Sequence, residues 1–269
     1  QNKHMRIATV KYIYFITNWS PNEVISFLSG IEFLSLFSPL ITNMDKGKNC
    51  LSFYSTLILK SISKLHDQDI ATNLYSFNPF GVDISQLPNH SRSIYLGFLF
   101  NIVQTDQKYA DEFIQSKSLL SIINQDATDI YDIISIERVN NEKFVKYITC
   151  IYQKYPSTRE HIIYLLSKIN PLYFFFSFLI QQTEAELILI GVECIDDLIQ
   201  KINNNSEIGK FLKDKLAEKI GDISEDLQCF ISDYDDYKNT NNIEDMDTYT
   251  NALKSLEILN DKINYFLTM

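Results

Sequence analysis

Apolar residues recur along the chain at helical spacing, in long segments separated by short polar turns. Five of these segments end 40 to 49 residues apart, near Ile16, Ile62, Ile102, Ile151 and Ile199. The turns that follow them read NWSPN, KLHDQ, QTDQK, QKYPSTR and KINNNSE, and each turn leads into a short amphipathic stretch. Apolar residues repeating every three to four positions are typical of helices that bury one face. The pattern therefore predicts a long helix, a turn and a short helix, repeated about five times.

Each predicted short helix ends at residues that disfavour its continuation. These breaks lie at Gly30, Asn78 with Pro79, Lys117 with Ser118, Asn170 with Pro171, and Gly221. Another apolar run follows each break: IEFLSLFSPLI, FGVDISQL, LLSIINQ, LYFFFSFLI and ISEDLQCFI. No Asn-Gly or Asp-Gly hairpin and no sustained alternation of period two indicates strands. A period of this length made of helices alone predicts an all-α solenoid.

This three-helix unit resembles the armadillo repeat and its HEAT relatives from about Met5 to Met269. The best match is GFLFNIVQTDQKYADEFIQSKSLLSII, in which Leu99, Asn101 and Ile102 match the family's residues at the end of the third helix. The resemblance implies a right-handed α-α superhelix of about five to six units. Residues 1–269 would then form a single armadillo-like solenoid.

In armadillo proteins the third helices line a concave groove that binds partner proteins. The resemblance implies that five polar residues lie near such a face: Lys60, Asn101, Lys146, Asp197 and Asn260. Importin-type members hold extended peptides with a ladder of tryptophans and asparagines. The tryptophan position is occupied here by Gly97 and Leu256. We therefore do not expect recognition of nuclear-import signals.

The segment NPLYFFFSFLI, residues 170–180, contains five aromatic residues in eleven positions. Its uninterrupted apolar run from Leu172 to Ile180 is too short for a bilayer, which needs about 20 residues. Lys168 interrupts the wider apolar window, and a lysine near the centre of a span is unfavourable. The segment matches the second helix of the other units, so we predict a core helix and no membrane span.

The net charge and the cysteines indicate which class of partner and which cellular compartment to expect. The formal net charge is −10 with four arginines, which disfavours a nucleic-acid partner. The four cysteines are far apart, form no C-x-x-C pair, and are typical of reduced core thiols. With no visible secretory signal, these features predict a cytoplasmic protein, with the nucleus as an alternative. The oligomeric state is left open.

Acidic residues are concentrated between residues 222 and 247, where Lys238 is the single basic residue. We predict an acidic loop at residues 232–247 within the last unit, followed by a C-terminal helix at residues 248–269. Its candidate contacts for a basic partner are the carboxylates of Asp233, Asp235 and Asp236 and the rings of Tyr234 and Tyr237. A calcium-binding EF-hand loop needs glycine where this segment has Lys238, so we predict no metal, with cation binding by the acidic loop left as an open alternative.

No catalytic signature is visible in the sequence. The four histidines have no partner at a recognisable spacing, and phosphate-loop, dinucleotide and serine-hydrolase motifs are absent. We therefore predict neither enzymatic activity nor a cofactor. The expected function is a scaffold that binds partner proteins on the concave surface. The alternatives are a regulatory or cytoskeleton-associated subunit that uses the convex surface, and an enzyme of unrecognised type.

Overall fold

The computed structural model describes residues 8–15, 50–64, 68–124, 127, 133–134, 141–204, 206–240 and 245–267. These residues are helical except for turns and one isolated antiparallel bridge between Ile123 and Ile134. The predicted all-α class is therefore confirmed for the described part of the chain. Gly30 and the segment around Ile16 lie outside it.

The helices follow one another with short connections. They are α1 (residues 8–15), α2 (Cys50–Ser63), α3 (Gln68–Tyr75), α4 (Asn89–Val103), α5 (Gln107–Ile114), α6 (Lys117–Leu120), α7 (Asn141–Lys154), α8 (Arg159–Leu165), α9 (Pro171–Leu179), α10 (Ala185–Asn203), α11 (Glu207–Thr240) and α12 (Met246–Leu267). Short 3₁₀ turns lie at Pro79–Gly81, Ile84–Gln86 and Pro156–Thr158.

The chain divides into two compact units. The first comprises residues 1–125 and 131–141 and contains α1 to α6, and the second comprises residues 126–130 and 142–269 and contains essentially all of α7 to α12. In the first unit α2 packs along α4, and in the second α12 packs against both α10 and α11. The single continuous solenoid and its superhelical hand stay predictions.

Two of the predicted breaks are asparagine–proline turns with a left-handed asparagine. Asn78 has φ 52° and Asn170 has φ 30°, and they are the non-glycine residues with positive φ in the described part of the chain. Asparagine tolerates positive φ better than most residues, and proline favours the first turn of the helix that follows. The breaks at Asn78 and Asn170 are therefore confirmed as local features of the sequence.

The predicted break at Lys117 and Ser118 lies two residues earlier, because α5 ends at Ile114 and the hydroxyl of Ser116 caps α6. Ser118 is fully buried. Its Oγ lies 2.6 to 3.2 Å from the carbonyl oxygens of Pro79, Phe80 and Val82. This single hydroxyl therefore fixes α6 against the first 3₁₀ turn.

The aromatic segment forms α9, which packs against both α10 and α11 in the second unit. Every residue of α9 except Tyr173 is buried. The predicted core helix is therefore confirmed. Within the described ranges, no helix combines the length and the apolar character that crossing a bilayer requires.

Helix α11 corrects two predictions. It continues unbroken through Gly221, and residues 232–240 belong to it rather than to an acidic loop. The reason is an apolar stripe that persists at helical spacing on both sides of the glycine, formed by the buried residues Leu212, Leu216, Ile223, Leu227 and Tyr234. A glycine inside a helix costs about 1 kcal/mol, which the burial of several large side chains offsets.

The C-terminal helix α12 begins at Met246, two residues before the predicted start. Asp245 precedes it, accepting hydrogen bonds from the backbone N–H and the hydroxyl of Thr248 at 3.0 and 2.6 Å. These two bonds lower the pKa of the Asp245 carboxyl below its usual value. The helix therefore starts with a capping carboxylate.

Candidate functional site

Asn101, the best match to the armadillo pattern, forms hydrogen bonds inside the first unit. Its Nδ2 donates to Ser63 Oγ at 3.0 Å and approaches the carbonyl oxygen of Lys60 at 3.4 Å. Both acceptors lie on α2, whereas Asn101 lies on α4. The amide therefore ties two successive long helices together. Lys60 itself is half-exposed on α2.

Asp197 is likewise committed to internal contacts, in the second unit. One carboxylate oxygen accepts from the Tyr152 hydroxyl at 2.5 Å, and the other accepts from Arg159 Nη1 at 2.7 Å. Arg159 also donates to the carbonyl oxygen of Tyr152 and lies over its ring at 5.4 Å. Burial, together with the bond to Asp197, raises the pKa of the Tyr152 hydroxyl far above its usual value. This network joins α7, α8 and α10.

The other two predicted third-helix residues are separate from that network. Lys146 is exposed on α7, and Asn260 is half-buried on α12 with its Oδ1 buried and without a hydrogen-bond partner. Within the described residues, no hydrogen bond or ion pair joins either of them to Asp197. The predicted positions of the second unit therefore do not form one polar site.

The acidic segment exposes four of its five predicted contacts and buries the fifth. Asp233, Asp235 and Asp236 are exposed on α11, and Tyr237 is 40% exposed. Tyr234 is 4% exposed, so its predicted role as an aromatic anchor is wrong. The reason is helical spacing, which places it on the buried stripe seven residues after Leu227.

Tyr234 packs against Tyr249 of α12. Their rings stack with centroids 4.3 Å apart, and the hydroxyl of Tyr249 donates to the carbonyl oxygen of Tyr234. The hydroxyl of Tyr234 itself is buried without a hydrogen-bond partner. Burial, reinforced by the neighbouring tyrosines, raises the pKa of Tyr234 to about 12. This residue therefore fixes α12 on α11.

One side of α11 is an acidic face, formed by Glu218, Asp222, Glu225, Asp233 and Asp236. The five residues fall within roughly 80° of arc when each residue advances by about 100°. Lys215 and Lys219 pair with the first two at 2.9 and 3.1 Å. The two carboxylates of the acidic face nearest the N-terminus of α11 are therefore each paired with a lysine.

A groove runs between α10 and α12 in the second unit. This third-helix groove has a volume of about 420 Å³ and is lined by Asp196, Ile199, Gln200, Asn203, Ile258, Asp261, Lys262, Tyr265 and Phe266. Ile258 is 56% exposed and Tyr265 is 59% exposed. Lys262 crosses the groove and donates to both oxygens of Asp196 at 2.7 and 2.8 Å. The groove therefore combines apolar surface with one satisfied ion pair.

Sequence reasoning missed Ile258 and Tyr265. Their signal is a spacing of seven residues on α12, on the side opposite the buried stripe that contains Leu256, Leu259 and Ile263. Two large apolar residues one heptad apart outside a buried stripe indicate a surface available for contact.

The described residues show little that would support chemistry. No group of three or more histidine, cysteine and acidic side chains among them is placed to hold a metal. Neither His90 nor His161 hydrogen-bonds to another described side chain.

Comparison of the chain with protein-family models, with curated proteins and with solved structures gives no significant match.

Proposed function

We propose that the chain is a non-catalytic scaffold of armadillo type, with five to six three-helix units in a right-handed superhelix, which binds a partner protein on its third helices. Support comes from the order of α8, α9 and α10, which follows the helix succession of the repeat. Further support comes from the packing of long helices on each other, α2 on α4 and α10 on α12. In a solenoid each unit covers the apolar flank of its neighbour in this way.

The third-helix groove is the observation that carries the proposal. Ile258 and Tyr265 expose more than half of their surface on a helix that is held by Tyr249 and by Lys262. Aromatic and large apolar side chains on a rigid element lose little entropy on binding and contribute much of the energy of interfaces. The internal use of Asn101 and Asp197 shifts the proposed contact surface from those polar residues to this apolar pair.

The charges around the groove favour a partner with basic residues. Asp196 and Lys262 satisfy each other, whereas Asp261 is exposed and has no ion pair within the described ranges. The acidic face of α11 adds negative charge to the same unit. Such a surface accelerates encounter with a basic segment and disfavours nucleic acid, and its effect falls as salt rises. A cytoplasmic or nuclear protein with a basic segment fits these properties.

The test is affinity capture of the tagged full chain from lysate of its native source, with mass spectrometry at low and moderate salt. We expect Ile258→Ala with Tyr265→Ala to lose the partners that the unaltered chain captures. The matched control is Lys254→Ala, an exposed residue of the same helix outside the groove. Circular dichroism checks that all three chains fold alike. Capture that is unaffected by the double substitution would exclude the third-helix groove.

The salt dependence of partner capture distinguishes the proposed scaffold from the alternative of a fixed subunit. We expect a small set of basic partners whose capture is lost as salt rises. If their binding is also weakened by Asp233→Lys, Asp235→Lys and Asp236→Lys together, these acidic residues contribute to partner binding. Stoichiometric recovery of one enzyme or filament subunit, indifferent to salt and to the groove substitutions, indicates instead a regulatory or cytoskeleton-associated subunit. That outcome contradicts the proposal.

A further inference from the structure

A second groove lies in the same unit on different helices. This first-helix groove runs between α8 and the first turns of α11 and has a volume of about 480 Å³. It is lined by Glu160, His161, Ile163, Tyr164, Ser167, Glu207, Ile208 and Phe211. None of these residues belongs to the third-helix groove or to the acidic face. Its volume falls within the roughly 300 to 1,000 Å³ of small-ligand pockets, enough for a few side chains of a peptide.

The apolar part of the first-helix groove has a buried floor and an exposed rim. Ile163 is 2% exposed, Ile208 and Phe211 are half-buried, and Tyr164 is 81% exposed. Within the described part of the chain, the ring of Tyr164 contacts no other aromatic ring. A tyrosine held on a helix beside an apolar floor offers a large contact area with a polar tip, which is typical of interface anchors.

The charged part of the first-helix groove is negative, and no lysine or arginine in the described part of the chain pairs with it. Glu160 lies in the first turn of α8 and Glu207 in the first turn of α11. Neither carboxylate has a hydrogen bond or ion pair from a described side chain, and no lysine or arginine lines the groove. The preceding residue, Arg159, is committed to Asp197. This differs from the third-helix groove, in which Lys262 satisfies Asp196.

We propose that the first-helix groove binds a peptide segment of a partner protein in which a large apolar side chain is flanked by lysine or arginine. The apolar side chain lies on the floor formed by Ile163, Ile208 and Phe211, with Tyr164 packed over it. The flanking cation pairs with the carboxylates of Glu160 and Glu207, for which no described side chain supplies a counter-ion. This binding mode does not depend on the function proposed for the third-helix groove.

Phage-displayed random dodecapeptides, selected on the immobilised full chain, supply the probe. Enriched sequences are then synthesised and titrated by fluorescence anisotropy. We expect them to pair a large apolar residue with lysine or arginine, and to bind Tyr164→Ala about tenfold more weakly or worse, as for a central interface anchor. Glu160→Gln with Glu207→Gln should weaken binding at low salt and flatten its salt dependence. All three substitutions are at exposed positions, so the fold is retained.

Tyr265→Ala, in the third-helix groove, is the matched control and should leave the affinity for these peptides unchanged. Several outcomes overturn the proposal: enriched peptides without basic residues, peptides whose affinity Tyr164→Ala leaves intact, or no enrichment at all. Concentration-dependent self-association that Tyr164→Ala abolishes, measured by analytical ultracentrifugation, would assign the groove to a second copy of this chain instead.

Discussion

The side chain of Asn170 donates a hydrogen bond from Nδ2 to the carbonyl oxygen of Lys215, 2.6 Å away on α11. Its Oδ1 accepts from the backbone N–H groups of Leu172 and Tyr173 at the start of α9. The same residue has a positive φ at the break between α8 and α9. One asparagine therefore turns the chain, caps one helix and holds another.

We expect Asn170→Ala to lower the free energy of unfolding by about 3 kcal/mol. The loss combines a helix cap, an unsatisfied carbonyl and the strain of alanine at positive φ, each about 1 kcal/mol. Urea denaturation followed by circular dichroism measures it. The matched control is Asn78→Ala, since Asn78 also has positive φ but makes no capping bond. Its cost should be about 1 kcal/mol, and equal costs at the two sites would show that the side-chain bonds of Asn170 contribute nothing.

Asp197→Asn should lower the free energy of unfolding by roughly 2 kcal/mol, because Arg159 loses its carboxylate partner and hydrogen bonds to charged groups are strong. Both side chains are at most a quarter exposed, so solvent weakens the pair only in part. Lys146→Ala, at an exposed position, should stay within about 0.5 kcal/mol of the unaltered chain. Unchanged stability of Asp197→Asn combined with lost partner capture would return Asp197 to the recognition surface.

The stacked tyrosines of α11 and α12 offer a comparison between two hydroxyls. Tyr249→Phe removes a bond to the carbonyl oxygen of Tyr234 and should cost about 1 kcal/mol of unfolding free energy. Tyr234→Phe removes a buried hydroxyl that has no partner, and should be neutral or stabilising. Thermal and urea unfolding of the two variants measure the difference. A larger loss for Tyr234→Phe would contradict the assignment of the donor.

The raised pKa of Tyr234 predicts a loss of stability in alkali. The hydroxyl ionises near pH 10 in the unfolded chain and near pH 12 in the folded chain. Between these values the folded state binds more protons, so the unfolding free energy falls as pH rises from 10 to 12. Tyr234→Phe should fall less steeply over this interval, whereas parallel curves would show that Tyr234 is not the group responsible.

Two glycines within α11 should respond to alanine in opposite directions. At Gly221 an added Cβ meets nothing within 4 Å, so Gly221→Ala should raise the unfolding free energy by about 0.5 to 1 kcal/mol. At Gly209 a Cβ would lie 2.4 Å from the carbonyl oxygen of Lys201, so Gly209→Ala should be destabilising. A loss at Gly221 would favour the broken helix that the repeat pattern predicted.

The predictions that the structure confirms rest on residues that lie close together in the sequence. The breaks at Asn78 and Asn170 follow from the adjacent proline and from the tolerance of asparagine for positive φ. An apolar run that is too short to span a bilayer is typical of a helix in a protein core, and this pattern predicted the burial of α9. The continuity of α11 was missed because a lone glycine is a weak breaker beside a persistent apolar stripe.

The internal roles of Asn101 and Asp197 depend on residues far away in the chain. Asn101 bonds to Ser63, 38 residues away, and Asp197 bonds to Tyr152, 45 residues away. A polar residue at a family's binding position looks the same in a sequence whether it faces a partner or a neighbouring helix. The burial of Tyr234 likewise requires α12 to be folded back onto α11.

The polar residues Asn101 and Asp197, which tie long helices together, differ from the exposed apolar residues of the two grooves, and this difference bears on how the sequence can diverge. Substitution at Asn101 or Asp197 disturbs the packing of the long helices, so selection for stability acts on those positions. Tyr164 and Ile258 are exposed on single helices, and substitutions there should leave the packing of the long helices intact. On the proposed function, descendants of this gene could exchange one binding partner for another while the helical framework is inherited unchanged.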